Sequence, residues 1–374
     1  MMLSRKRLAW VWGGLALAVL IAMIHLLHIE RGMSAGTEER HPAGPLRELA
    51  FATSSDGWAA LTGAEGEILL ATHDGGLTWS KLPTPPPFHK LFFVDSSRGW
   101  GLSGTVGNSS STTLWRTSNG GKTWASTELG SAAGVQHGDE IVDLWFASER
   151  HAVFLSRQHA GSGAVYFTGD GGRTVRQVES ISAIGTTRAL FGDRNGNIWL
   201  LASSAIWHSA STGVLWMPQL TTANRPTGKA GLTANAGVAL GSGRIVVVGE
   251  RSGGSILLSD NYGGNWRTVL QTDDLGYFSD VSFVDGGYGC AVGSSVVIYC
   301  SEDGGVSWKR WPVLPSSKLG NTHPASRFDR IVLTSRRHGF AVAAIGNLYE
   351  TEDGGNSWRE TDLTPPRGEP ERRR

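Results

Sequence analysis

One short turn recurs along this chain: a hydroxyl residue, an acid or amide, glycine, a second hydroxyl and tryptophan, in that order. "THDGGLTW" opens at Thr72, "TSNGGKTW" at Thr117, "TGDGGRTV" at Thr168, "SDNYGGNW" at Ser259, "SEDGGVSW" at Ser301 and "TEDGGNSW" at Thr351. The interval from 168 to 259 is about twice the others. Inside it "SASTGVLW" keeps Ser209, Gly213 and Trp216, with Ser211 in place of the acid. Successive openings then lie 45, 51, 41, 50, 42 and 50 residues apart, which makes seven units. A repeat of this length means one supersecondary unit per copy, each burying its faces against its neighbours.

Upstream of every turn the chain alternates apolar runs with polar breaks. "ELAFATSSDGWAAL", "KLFFVDSSRGWGLS", "DLWFASERHAVFLS", "ALFGDRNGNIWLLA", "GVALGSGRIVVVGE", "DVSFVDGGYGCAVG" and "RIVLTSRRHGFAVA" each contain two runs. A third run, such as "GEILLAT" or "SVVIYCS", leads into the acid turn, and the tryptophan starts a fourth. Four short strands in 40–50 residues describe a propeller blade. The expected fold is an all-β, seven-bladed propeller over 47–362. Its first strands are expected to carry few charges, because they line a crowded centre.

The turn reads as a fastener between third and fourth strands. Asp74, Asp170, Asp303 and Asp353, with Asn119 and Asn261, can accept bonds from backbone N–H groups as in an Asx-turn. The glycine two residues on can take positive φ. Trp79, Trp124, Trp216, Trp266, Trp308 and Trp358 can cover the turn and bury apolar area. Seven dispersed copies cannot meet at one active site, and one carboxylate per turn is too few for calcium.

These turns resemble the Asp-box, or bacterial neuraminidase repeat, found in sialidases, xyloglucanases, sortilin-type receptors and the photosystem II stability/assembly factor family. The stretch "VDSSRGWGLS…LWRTSNGGKTW" (94–124) and the count of seven are most similar to the last of these. That resemblance implies a single propeller that binds a membrane-protein partner and assists assembly or stability of a complex, without cofactor or catalysis. Members of that family use an arginine-rich patch on their partner.

Composition fits. Lys and Arg total 34 against 33 Asp and Glu, a net charge of +1, which gives no reason to expect nucleic acid. Gly 51, Trp 15 and only 18 % charged residues suit strands and turns. The N-terminus differs. Arg5, Lys6 and Arg7 precede the uncharged apolar run 8–29, long enough to span a bilayer with the propeller exported. Residues 1–30 are thus expected to be a cytoplasmic basic cluster and anchor, 31–46 a flexible linker, and 363–374 a disordered charged tail. Cleavage as a signal peptide is the rival reading, since Ser34, Ala35 and Gly36 offer small residues. Cys290 and Cys300 are the only cysteines. Placed symmetrically about residue 295 in one hairpin, they are expected to face each other within disulfide reach, free buried thiols being the alternative.

For chemistry, the runner-up is a sialidase-like glycoside hydrolase or glycan-binding propeller. A sialidase needs three arginines, a Tyr–Glu pair and an acid, and its Arg-Ile-Pro stretch is replaced here by "PLRELAF". Only Tyr277, near Asp273, Asp274 and Asp280, lies in an inter-blade loop suited to an active site. Eleven histidines show no metal-ligand spacing, so no metal is expected. The first-to-second-strand turns repeat arginine: Arg98, Arg150, Arg194, Arg244, Arg336 and Arg337. On one face they form a candidate basic ring for a membrane-protein partner, solubilising charge being the alternative. The expected protein is a monomeric propeller on the periplasmic or extracytoplasmic side of the cell membrane.

Overall fold

The structure is a computed structural model that describes residues 45–363 apart from 64–65, 84, 105–111, 131–132, 137–138, 159–162, 179–185, 204, 222–232, 312–326, 345 and 362. The apolar run 8–29, the linker as far as 44 and the tail from 364 lie outside the described residues. Among the described residues no helix is long and apolar enough to cross a membrane.

Seven four-stranded antiparallel sheets follow one another along the chain. Blades one to seven occupy 46–81, 90–129, 139–177, 187–221, 233–272, 278–311 and 328–361. Second and third strands are almost wholly buried, as in Gly289–Gly293 and Ile298–Ser301, while outer strands such as Ser80–Lys81 and Arg176–Gln177 are exposed. The buried face-to-face packing explains the apolar runs, and the short exposed outer strands carry the polar residues.

The sequence "RGWG" has a steric cause. Phe93 pairs with Gly99 across the first two strands of blade two, and a Cβ on Gly99 would come within 2.3 Å of the Phe93 ring. Glycine lets that ring lie over the strand; Phe51 and Gly57 repeat the arrangement in blade one.

Each sheet is built from consecutive strands, so the ring closes without strand exchange. Leu49, Ala59, Leu70 and Trp79 of the first blade pack on Phe340, Val342 and Leu348 of the last. Leu363 joins this cluster and is buried, so the sequence-based boundary of the tail at 363 falls too early. The Leu46 N–H also donates to the Gly346 carbonyl.

The inner strands depart from expectation. Glu48, Lys90, Asp143, Asp280 and Arg330 occupy register-equivalent positions on the inner strands of blades one, two, three, six and seven, opposite Ala60, Leu102, Leu155, Val292 and Val342. All five line a central cavity of about 620 Å³. The centre is therefore a polar channel, wide enough for opposite charges to meet across blade boundaries.

Candidate functional site

The acid turn ties together three pieces of backbone. In blade six the Ser301 hydroxyl donates to Asp303 Oδ1 at 2.9 Å and accepts the Gly305 N–H at 2.9 Å. Asp303 accepts the Ser307 N–H at 2.9 Å and the Ser307 hydroxyl at 2.6 Å. Trp308 Nε1 donates to the Gly305 carbonyl at 3.0 Å. Gly304 and Gly305 have φ of 72° and 85°, which glycine takes freely. The same bonds recur around Asp74, Asp170 and Asp353. Asn119 and Asn261 accept from Thr123 and Asn265 N–H in the same way. In blade four the Ser211 hydroxyl accepts the Leu215 N–H at 2.9 Å, and Trp216 keeps its bond to Gly213. Of the tryptophans that close these turns, Trp266 has its Nε1 buried with no hydrogen-bond partner among the described residues.

Burial works against ionisation of Asp170, but bonds from the Thr174 N–H and hydroxyl and the Thr168 hydroxyl outweigh it and hold the carboxyl at about 2. Asp74, Asp303 and Asp353 are lowered by the same balance.

Each turn is also bonded outward. The Gly304 N–H donates to Gly287 in the first-to-second-strand turn of its own blade, and Gly75, Gly120, Gly171 and Gly354 do likewise to Ser55, Ser97, Arg150 and Arg337. From the preceding blade, Trp58 Nε1 donates to the Gly120 carbonyl, Trp199 Nε1 to Tyr262 and the Tyr288 hydroxyl to Gly354. The repeated turn thus locks blade to blade, and the Asp at its third position is occupied by bonds within the turn.

The six arginines share this face, but half of them are neutralised. Arg98 pairs with Asp95 at 2.6 Å and with Glu149, Arg244 with Asp260 at 2.6 Å, and Arg336 with Asp285 at 2.6 Å. Arg150, Arg194 and Arg337 make no ion pair among the described residues and are exposed. The expected basic ring is therefore a mixed ring with three free cations. The acids Asp95, Glu149, Asp260 and Asp285 next to these turns explain why. Arg194 and Asp193 reach the rim of the central cavity.

Within the channel, Arg330 pairs with Glu48 of the first blade at 2.6 Å and Lys90 with Asp143 of the third at 2.9 Å. Asp143 also accepts the Leu190 N–H of blade four, and Asp280 the Ile331 N–H of blade seven, each at 3.0 Å. Enclosure pulls the Lys90 ammonium down, yet Asp143 and Glu48 overcome it and leave it raised. The Glu48 carboxylate likewise holds Arg330 above its usual value. Among the described residues Asp280 has no cation within ion-pair distance, and burial lifts its carboxyl to about 6. These carboxylates are committed to joining blades.

Tyr277 sits on the opposite face. Asp274 does not back it, because Asp274 accepts the Tyr299 hydroxyl at 2.6 Å and pairs with Arg310. Asp273 is exposed and Asp280 points into the channel. Cys290 and Cys300 pair across neighbouring strands with Cα atoms 4.0 Å apart and form a disulfide. Among the described residues no group of three or more metal-ligating side chains comes together.

Fold and site together define a seven-bladed Asp-box propeller whose repeated turns are structural. Residues 42–318 match the family model described as Photosynthesis system II assembly factor YCF48, and the chain belongs to that family. The match ends before the seventh blade, which the structure supplies. Among solved structures, one titled "YCF48 bound to D1 peptide" is 20 % identical with a TM-score of 0.57, over 83 % of this chain and 94 % of that one. YCF48 from Cyanidioschyzon merolae is 19 % identical with a TM-score of 0.58, over 83 % and 96 %. A GH74 xyloglucanase from Xanthomonas campestris is 14 % identical with a TM-score of 0.61, over 87 % of this chain but 55 % of that enzyme. At these identities the likeness is one of fold. No curated protein matches the chain in sequence.

Proposed function

We propose that this chain is a non-catalytic propeller that binds a membrane-protein subunit and assists assembly or stability of its complex, anchored by residues 8–29 with the propeller on the extracytoplasmic side. Membership of the YCF48 assembly-factor family carries this reading. The D1 peptide belongs to the relative; for this chain it supports a peptide segment of a membrane protein as the partner class. The geometry agrees, since the channel carboxylates hold blades together and three exposed arginines without ion pairs among the described residues, Arg150, Arg194 and Arg337, sit on the Asp-box face.

Arg150, Arg194 and Arg337 are the contacts proposed for the partner. Changing the three arginines to Glu is expected to weaken partner capture with no change in melting temperature, because exposed unpaired charges contribute little to folding. Equal capture at low and physiological salt would show that they are only solubilising charge. The glycan-active reading has the fold alone behind it, and no turnover of aryl glycosides is expected. Turnover abolished by Tyr277→Phe would replace the proposal.

A further inference from the structure

On the face away from the Asp-box turns, blades one, four, five, six and seven break register at the start of the inner strand, and those of blades four, five and six surround one depression. These three breaks fall between Thr187 and Ala189, between Ala234 and Ala236, and between Phe278 and Asp280. The extra residues are Arg188, Asn235 and Ser279. A bulge redirects a side chain out of the regular alternation, and bulges gather at working sites. Here all three redirected side chains line one depression of about 300 Å³, together with Thr233, Glu250 and Tyr277. That volume lies at the lower end of ligand pockets, roughly 300–1,000 Å³, and suits a small molecule rather than a long chain.

The charges in this depression are not paired with each other. Arg188 donates to Asn235 Oδ1 at 3.2 Å, and Asn235 is itself fixed by donating to the Phe278 carbonyl at 2.8 Å. Ser279 is fixed by donating to the Phe328 carbonyl at 2.7 Å. Arg188 and Glu250 are both exposed, and neither makes an ion pair, with the other or with any described residue. Other charged residues at bulges are neutralised: Arg47 by Glu67 and Asp329 by Arg327. One guanidinium and one carboxylate, unpaired in the same small depression beside a half-buried tyrosine ring, present opposite charges at separate points.

We propose that this depression binds a small zwitterion of the α-amino-acid class, with Arg188 receiving the carboxylate, Glu250 the ammonium group and the Tyr277 ring the side chain. Guanidinium suits a carboxylate because its planar donors can bond both oxygens. The site is independent of the partner-binding arginines on the other face.

Isothermal titration of the full-length protein in detergent with L-leucine, N-acetyl-L-leucine and L-leucine amide tests it. The last two carry only the carboxylate or only the ammonium group, and they stand for the ends of a polypeptide. Leucine is expected to bind at least about tenfold more tightly than either, since each lost charge-assisted bond removes about that factor. Arg188→Gln is expected to abolish leucine binding. Glu250→Gln, an exposed and conservative change, is expected to reduce leucine to the affinity of N-acetyl-L-leucine, with a wild-type melting temperature in both variants. N-acetyl-L-leucine binding as tightly as leucine would overturn the zwitterion assignment in favour of a chain terminus. Leucine binding unchanged in Glu250→Gln, or no leucine binding at millimolar concentration, would overturn it outright.

Discussion

Asp303 offers a direct test of the fastener, because the fourth blade provides an internal control. Asp303→Ala removes an acceptor of three bonds, from the Ser307 N–H, the Ser307 hydroxyl and the Ser301 hydroxyl. Each such bond contributes roughly 0.5–1.5 kcal/mol net. The turn is exposed, so water replaces much of what is lost. A helix-cap oxygen in a similar position contributes typically about 1 kcal/mol, within roughly 0.5–2. The expected loss is therefore about 1–2 kcal/mol, or about 2–4 °C in melting temperature. Asp303→Ser recreates the blade-four turn, where one hydroxyl retains the backbone N–H bond, and should lose about half as much. The sign with pH follows from the lowered carboxyl. Stability from Asp303 is fully present above the unfolded value of 3.8 and is lost as pH falls through the lower folded value. The difference between wild type and Asp303→Ala, read by urea denaturation of the full-length protein in detergent, should narrow below pH 4. An alanine variant indistinguishable from wild type at pH 7, or a serine variant as damaged as the alanine one, would refute this account of the turn.

Three further outcomes are expected. Asp280 is raised to about 6, so its contribution is fully present below 3.8 and is lost as pH rises through 6; Asp280→Asn should gain stability relative to wild type between pH 5 and pH 8, by about 1–2 kcal/mol, and urea denaturation at the two values would show it. Arg330→Ala strands the buried Glu48 at the junction of first and last blades and should cost about 2–3 kcal/mol, while Glu48→Gln with Arg330→Met should recover most of it; calorimetry of the three proteins decides the matter. Thr212 holds φ of 55° where five other turns have glycine, so Thr212→Gly should raise stability by about 0.5–1 kcal/mol in the same urea assay.

Much of the fold was legible because the repeat is punctuated. The turn residues Asp, Gly and Trp satisfy only local geometry, so their roles can be read without knowing the neighbours. The facing of Cys290 and Cys300 followed from hairpin symmetry. The charges in the channel were also written in the sequence: Glu48, Lys90, Asp143, Asp280 and Arg330 each stand at the head of an apolar run such as "ELAF", "KLFF", "DLWF", "DVSF" or "RIVL". They passed as the polar ends of strands because whether a strand end faces solvent or a channel depends on seven blades closing together. The partial neutralisation of the arginine face escaped for a similar reason. Arg98 meets Glu149 across 51 residues, a pairing that exists only once adjacent blades are in place. The depression around Tyr277 depends on three bulges, which shift one residue each and leave no periodic signature.

Co-purification from native membranes tests the central claim most directly. Full-length wild type and the Arg150→Glu, Arg194→Glu, Arg337→Glu variant would be captured at low and at physiological salt, and their associated proteins quantified by mass spectrometry. The account predicts that wild type retains a specific membrane-protein subunit, and that the variant loses it at physiological salt while melting at the same temperature. Equal retention by both proteins, or a wild type that retains no membrane protein and hydrolyses an aryl glycoside, would contradict it.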